Sequence, residues 1–99
     1  MIYVDAILLY DGAKPPFHRG SCHMTADTLG ELHAMADKIG LKRAWFQDHP
    51  RCQHYDLTPP RRARAVAAGA IEETAMEGAR RRRAARRLAA TMAAAGGRP

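Results

Sequence analysis

The chain has 99 residues, of which 46% are hydrophobic and 26% charged, and its formal net charge is +6. That length fits one small domain with a thin core, and no run of about 18 apolar residues marks a membrane-spanning helix. Two cysteines, Cys22 and Cys52, make no disulfide framework, and "AILLY" is too short and lacks a basic leader for a secretory signal; a soluble, cytoplasmic protein with reduced thiols is expected.

In chain order, "MIYVDAILLY" predicts a β-branched strand over residues 2–4, with room to extend to residue 9. Gly12, Pro15, Pro16 and Gly20 make the next stretch a loop, and residues 21–25 read as a short second strand. Thr28-Leu-Gly-Glu31 is a capping box. Leu29, Leu32, Met35, Ala36 and Ile39 then recur at helical spacing, and Gly40 ends the helix. "KRAWFQ" reads as a third strand and "DHPRCQHYD" as a polar loop. Thr58 before Pro59 and Pro60 predicts the N-cap of a second helix, which Gly69 ends. "AIEE" reads as a short strand. A second capping box, Thr74 to Glu77, opens an Ala/Arg helix that runs to about residue 95 and frays into "GGRP".

This alternation predicts an α/β fold: a small, mostly parallel sheet of three to four short strands, two packing helices and a C-terminal Arg-rich helix. Residues 1–73 would form the domain and residues 74–99 the basic helix and tail. Right-handed crossovers would bring both helix starts to one edge of the sheet, where ligands of open α/β sheets bind.

Two polar clusters would meet there. "SCHMTAD" carries His23 and Asp27, and "QHYDLT" carries His54, Tyr55 and Asp56. Histidines at strand ends serve as acid–base groups, metal ligands or phosphate donors. The plainer alternative is a pair of backbone-bonded histidines, with Asp27 favouring a helix N-terminus. On a strand, His54 and Asp56 share a side and Tyr55 opposes them, packing inward. His33 reads as a packing residue at the flank of the first helix, and His18 and His49 as solvated loop residues. The candidate catalytic residues are His23, His54 and Asp56, with Asp5, Asp27, Tyr55, Arg61 and Arg62 as candidate ligand contacts.

No metal or other cofactor is assigned from these residues. Zinc on Cys22, His23, Cys52 and His54 lacks the usual spacing, since adjacent Cys22 and His23 point to opposite strand faces. A divalent ion on His23, His54, Asp56 and Asp5 stands as an alternative. No glycine-rich phosphate loop, nucleophile elbow or HExxH motif is present.

Charge is segregated. Residues 1–60 carry a net −1 and residues 61–99 a net +7. Arg61, Arg62 and Arg64 fall in the first turns of the second helix, where cations oppose the helix dipole; a bound anion would reverse that cost. The expected function is binding or hydrolysis of a phosphate-containing ligand, a nucleotide or a nucleic-acid end, at a His/Asp/Arg site. The alternative is a non-enzymatic nucleic-acid or protein adaptor working through "ARRRRAARRL", which is either solvated or laid on a polyanion. No membrane partner is expected.

"MIYVD", "CHMTAD", "ELHAMADKIGL", "WFQD" and "HYDLTPPRRARAVAAGA", in that order, resemble an uncharacterised family of small bacterial and phage proteins, domain of unknown function family 4031. The resemblance covers residues 1–70. It implies that Tyr3, Asp5, Cys22, His23, Asp27, Glu31, His33, Trp45, Phe46, His54, Tyr55, Asp56, Arg62 and Gly69 stand at motif positions, and it brings no activity with it. "ILLYDGAKPPFHR" departs from the tryptophan- and arginine-rich stretch expected there, and the Arg-rich tail lies outside the resemblance.

Overall fold

A computed structural model describes residues 1–96. Its four strands are β1 (Ile2–Val4), β2 (Cys22–Ala26), β3 (Tyr55–Leu57) and β4 (Ile71–Glu72), and its three α-helices are α1 (Leu29–Lys38), α2 (Pro59–Ala67) and α3 (Ala75–Gly96). The strands form one sheet in the order β3-β2-β1-β4. No helix among the described residues is long and apolar enough to cross a membrane. The expected fraying into "GGRP" falls mostly on residues 97–99, outside the described residues.

The fold is α/β, but the sheet is not mostly parallel. β2 pairs antiparallel with both β1 and β3, and only β1 and β4 are parallel. The expectation failed at "KRAWFQ". Residues Arg43–Trp45 form a 3-10 turn, and the third strand is Tyr55–Leu57 instead. The position beside β2 belongs to β3, and Trp45 and Phe46 pack by their side chains, Trp45 against Arg61 and Phe46 against His33 and Tyr55. Only Gln47 touches the sheet margin, through an isolated antiparallel bridge to His54.

This topology also corrects the placement of the helix starts. β2 runs opposite to β3, so α1 and α2 leave the sheet at opposite ends. Thr28 caps α1 as expected, its hydroxyl accepting the Glu31 N–H at 3.2 Å. Thr74 does the same for Glu77 at 3.0 Å, and the Glu77 carboxylate accepts the Thr74 N–H at 2.9 Å. Thr58 occupies the N-cap position of α2, but its hydroxyl makes no capping bond.

One sheet face is the core. Val4, Cys22, Met24, Tyr55 and Leu57 are buried on it against Leu32, Met35, Ala36 and Ile39 of α1 and its end, and against Ala65 of α2. Burying one such leucine stabilises by about 1.5–3 kcal/mol, and these residues make up most of the core. Leu29 alone of the expected α1 stripe stays exposed.

The other face is polar, and α3 crosses it. Its anchor is Arg81, whose guanidinium lies 3.5 Å from the centroid of the Tyr3 ring. The same group donates to Thr25 Oγ1 and to Glu73 Oε1, each at 2.9 Å. A polar sheet face covered by a charged helix is an unusual way to close a small domain, since burying polar groups gains little unless each is bonded. It makes room for a site.

Candidate functional site

Strand register builds the site. His23 on β2 is the Cα partner of Asp56 on β3. On its other side lies Asp5, just past β1, whose N–H donates to the His23 carbonyl at 3.2 Å. Asp56, His23 and Asp5 therefore form a row across the polar face. His54 enters just before β3, and its ring meets that of His23 edge-on with centroids 4.8 Å apart. The two histidines meet because β2 and β3 are neighbours, not because two helix starts share an edge.

Each imidazole is held from behind. His23 Nδ1 lies 2.9 Å from Asp5 Oδ2, while the His23 backbone N–H donates to Asp5 Oδ1 at 2.6 Å. His54 Nδ1 lies 2.7 Å from the Cys52 carbonyl oxygen. Both acceptors are oxygens, so both Nδ1 atoms carry the proton. The Nε2 atoms then face a common carboxylate oxygen, Asp56 Oδ1, at 3.9 Å from His23 and 3.4 Å from His54. The second Asp56 oxygen accepts from the Gln47 amide. One ligand atom from each of His23, His54 and Asp56 falls within 4.8 Å of the others.

The electrostatics follow from these contacts. Hydrogen bonding to Asp56 raises His54 to about 10, outweighing its burial. The bond to Asp5 raises His23, again against burial. Burial would raise Asp5, but the bonds from the His23 ring and backbone N–H prevail and hold it below the usual carboxylate range. Asp56 is lowered by its bond with His54. Cys52 is lowered by His54, with Arg82 contributing, whereas burial pushes Cys22 up to about 12. Cys22 lies on the core face, so a zinc site using both cysteines is not assembled.

The histidines open into a cleft of about 330 Å³ between the sheet and the start of α3, lined also by Cys52, Glu73, Gly78 and Arg82. Gly78 is buried. A Cβ there would sit 2.7 Å from Glu73 Oε1 and 3.0 Å from Arg82 Nη1, so a larger residue would displace the ends of these two side chains from where they lie over the helix. Arg82 is half-buried and forms no ion pair among the described residues.

The remaining candidates are placed elsewhere. Asp27 is at the far end of β2, beside the Tyr3 hydroxyl, the chain's amino terminus and Arg81. Tyr55 is fully buried on the core face, with its hydroxyl 2.8 Å from His33 Nδ1. Arg62 is committed to the Asp5 carbonyl and to Glu72, so it ties α2 to the ends of β1 and β4. Arg61 sits over the Trp45 ring at 4.8 Å. It lines a second cleft of about 300 Å³, whose wall includes Asp56.

Sequence reasoning did not single out Gly78, Arg82 or the Cys52 carbonyl. A signal existed for Gly78: a lone glycine inside an Ala/Arg helix costs about 1 kcal/mol against alanine and points to close packing. Arg82 could not be distinguished from its neighbours, because nothing local says which arginine faces inward.

Fold and cluster together define a small α/β protein with a two-histidine, one-carboxylate cluster on a polar sheet face. Residues 2–86 match the family described as "Protein of unknown function (DUF4031)", and the chain belongs to that family. The match reaches beyond residue 70 and takes in the first half of α3, including Gly78 and Arg82, so this part of the Arg-rich segment belongs to the family unit. No curated protein and no solved structure matches the chain.

Proposed function

We propose that the protein is a divalent-metal-dependent site that binds and hydrolyses a phosphate-containing ligand, a nucleotide or a nucleic-acid end. One observation carries this reading: two imidazoles anchored through Nδ1 turn their Nε2 atoms on one carboxylate oxygen. An oxygen acceptor behind a histidine fixes its tautomer and raises its basicity as a metal ligand. Two nitrogens and a carboxylate suit zinc, manganese or ferrous iron better than calcium or magnesium. Three protein ligands leave coordination positions for water and substrate.

In this reading His23, His54 and Asp56 hold the ion. Asp5 orients His23, and Arg82, which lines the cleft without an ion-pair partner among the described residues, would pair with a phosphate oxygen. An ion held by these residues would supply Lewis-acid polarisation of the phosphate and lower the pKa of a bound water toward neutral. In hydrolysis the water oxygen bonds to phosphorus, the ester P–O bond breaks, and the leaving oxygen takes up a proton. The test is hydrolysis of a phosphodiester reporter such as bis(p-nitrophenyl) phosphate by the manganese-loaded full chain. Activity should be lost in chelator and in Asp56→Asn, and should fall about 100–1,000-fold in Arg82→Ala. Turnover unaffected by chelator and by Asp56→Asn would refute the reading.

A second reading is a nucleic-acid adaptor working through α3. It is favoured by Arg80, Arg83 and Arg87, which are exposed and form no ion pair among the described residues. Binding of a nucleic acid that is lost on replacing these arginines, with no hydrolysis by the intact chain, would favour the adaptor.

A further inference from the structure

Beyond the wall made by Asp56, two more clefts continue across the surface. The first, of about 300 Å³, lies among Pro16, Phe17, Trp45, Gln47 and Arg61. It is at the small end of the range for ligand pockets, and its walls are aromatic. Trp45 is 40% exposed, with Arg61 over its ring at 4.8 Å and Lys42 at 5.7 Å. The second, of about 550 Å³, shares Pro16 and Arg61 with the first and adds His18, Arg19, Thr58 and Arg64. No acidic residue lines it. Arg19, Arg61 and Arg64 form no ion pair among the described residues.

The second cleft sits at the start of α2. Pro59 and Pro60 there have no N–H to offer, and no acidic side chain occupies the first turn. Thr58 is 8% exposed, lines the cleft and makes no capping bond. Arg61, in the first turn of α2, opposes the helix dipole, Arg19 and Arg64 add to the positive charge of the cleft, and with no acidic side chain lining it an external anion would supply the counter-charge.

We infer that these two clefts are a track for single-stranded nucleic acid, with a base stacked in the Trp45–Phe17 cleft and the following phosphates on Arg19, Arg61 and Arg64. An aromatic platform beside a basic groove is the arrangement that holds single strands without reading their sequence. Asp56 belongs both to the cluster and to the wall of the Trp45 cleft, so a strand on this track ends at the His23–His54 cluster. The inference rests on the nucleic-acid end proposed above as the ligand, and it selects a strand over a free nucleotide.

Trp45 is the only tryptophan, so its emission reports the track directly. The experiment titrates the full chain with an oligothymidylate of about eight nucleotides, within the usual range for one single-strand site. Chelator is present throughout, so the outcome does not depend on the metal reading. Trp45 emission should be quenched on binding. The double variant Arg19→Ala/Arg64→Ala should weaken binding about ten-fold and lower the salt slope by about 1.4, the effect of two lost phosphate contacts on a single strand. Arg80→Ala/Arg83→Ala, on the outer face of α3, should change affinity less than about two-fold. Unchanged Trp45 emission, or binding lost through Arg80 and Arg83 and not through Arg19 and Arg64, would overturn the inference while leaving the metal reading to its own test.

Discussion

His23 and His54 are fixed by different partners, and the difference has measurable consequences. Asp5 touches His23 twice, through the ring and through the backbone N–H. Asp5→Asn keeps the size of that support and removes its charge, so it should weaken metal affinity about 10–100-fold while every ligand remains; calorimetry on the variant measures this. In metal-free protein, the His54–Asp56 pair also makes stability depend on pH. His54 is raised to about 10 from an ordinary 6.5. A raised cation stabilises fully below the unfolded value, so this contribution is present below about pH 6.5 and disappears as the pH climbs through 10. Asp5 and Asp56 are lowered, so their contributions hold above about pH 4 and are lost as the pH falls below it. Urea midpoints in chelator should therefore decline from pH 7 to 10 in the wild type and stay flatter in His54→Gln. Equal declines in the two proteins would show that the pair does not carry the dependence. His54 and Asp56 were legible as neighbours from their spacing of two. The role of Asp5 was not, because it depends on strand pairing across 18 residues.

Helix caps and helix packing separate what local sequence determines from what the sheet imposes. The capping box at Thr28 is a local pattern, and it forms as read. Thr58 looked like an equal cap, yet its hydroxyl is not used as one. Thr28→Ala should cost about 1 kcal/mol of unfolding free energy, and Thr58→Ala should cost less as a cap; denaturant melts of the two variants give the comparison. Arg81 is the contrast on α3. Its removal leaves Glu73, only 9% exposed, without a cation. Arg81→Ala should then destabilise by about 2–3 kcal/mol, discounted from the cost of breaking a fully buried pair because Arg81 itself is 21% exposed. Arg83→Ala, exposed, should stay within about 0.5 kcal/mol. Matching losses for the two arginines would mean that α3 is not anchored through Arg81. The strand expected at "KRAWFQ" failed for a related reason: strand preference of tryptophan and phenylalanine reflects side-chain packing and not an intrinsic backbone bias, and here Trp45 packs against Arg61 and Phe46 against His33 and Tyr55 from a 3-10 turn and its end.

At the scale of the whole molecule, the charge is arranged more selectively than a net +6 suggests. Arg81, Arg82 and Arg86 turn toward the body of the protein, while Arg80, Arg83 and Arg87 face outward. Sequence periodicity could not sort them, because six arginines in eight positions leave no apolar stripe to mark the inner face. The α/β character and the helices were legible; His23 was expected to meet His54, but through helix starts at a shared edge, whereas antiparallel pairing of β2 and β3 brings them together. The reversed direction of β2 was not legible, since strand direction is set by pairing partners and not by local pattern. That reversal puts His23 between Asp56 and Asp5, and the central claim is that His23, His54 and Asp56 hold a divalent ion. Titrating the chelator-treated full chain with manganese or zinc by calorimetry tests it most directly. The account predicts one ion per chain in the wild type, with binding weakened at least about 100-fold in Asp56→Asn and in His23→Gln. Saturable binding of the same affinity and stoichiometry in all three proteins, or no binding in the wild type, would contradict it.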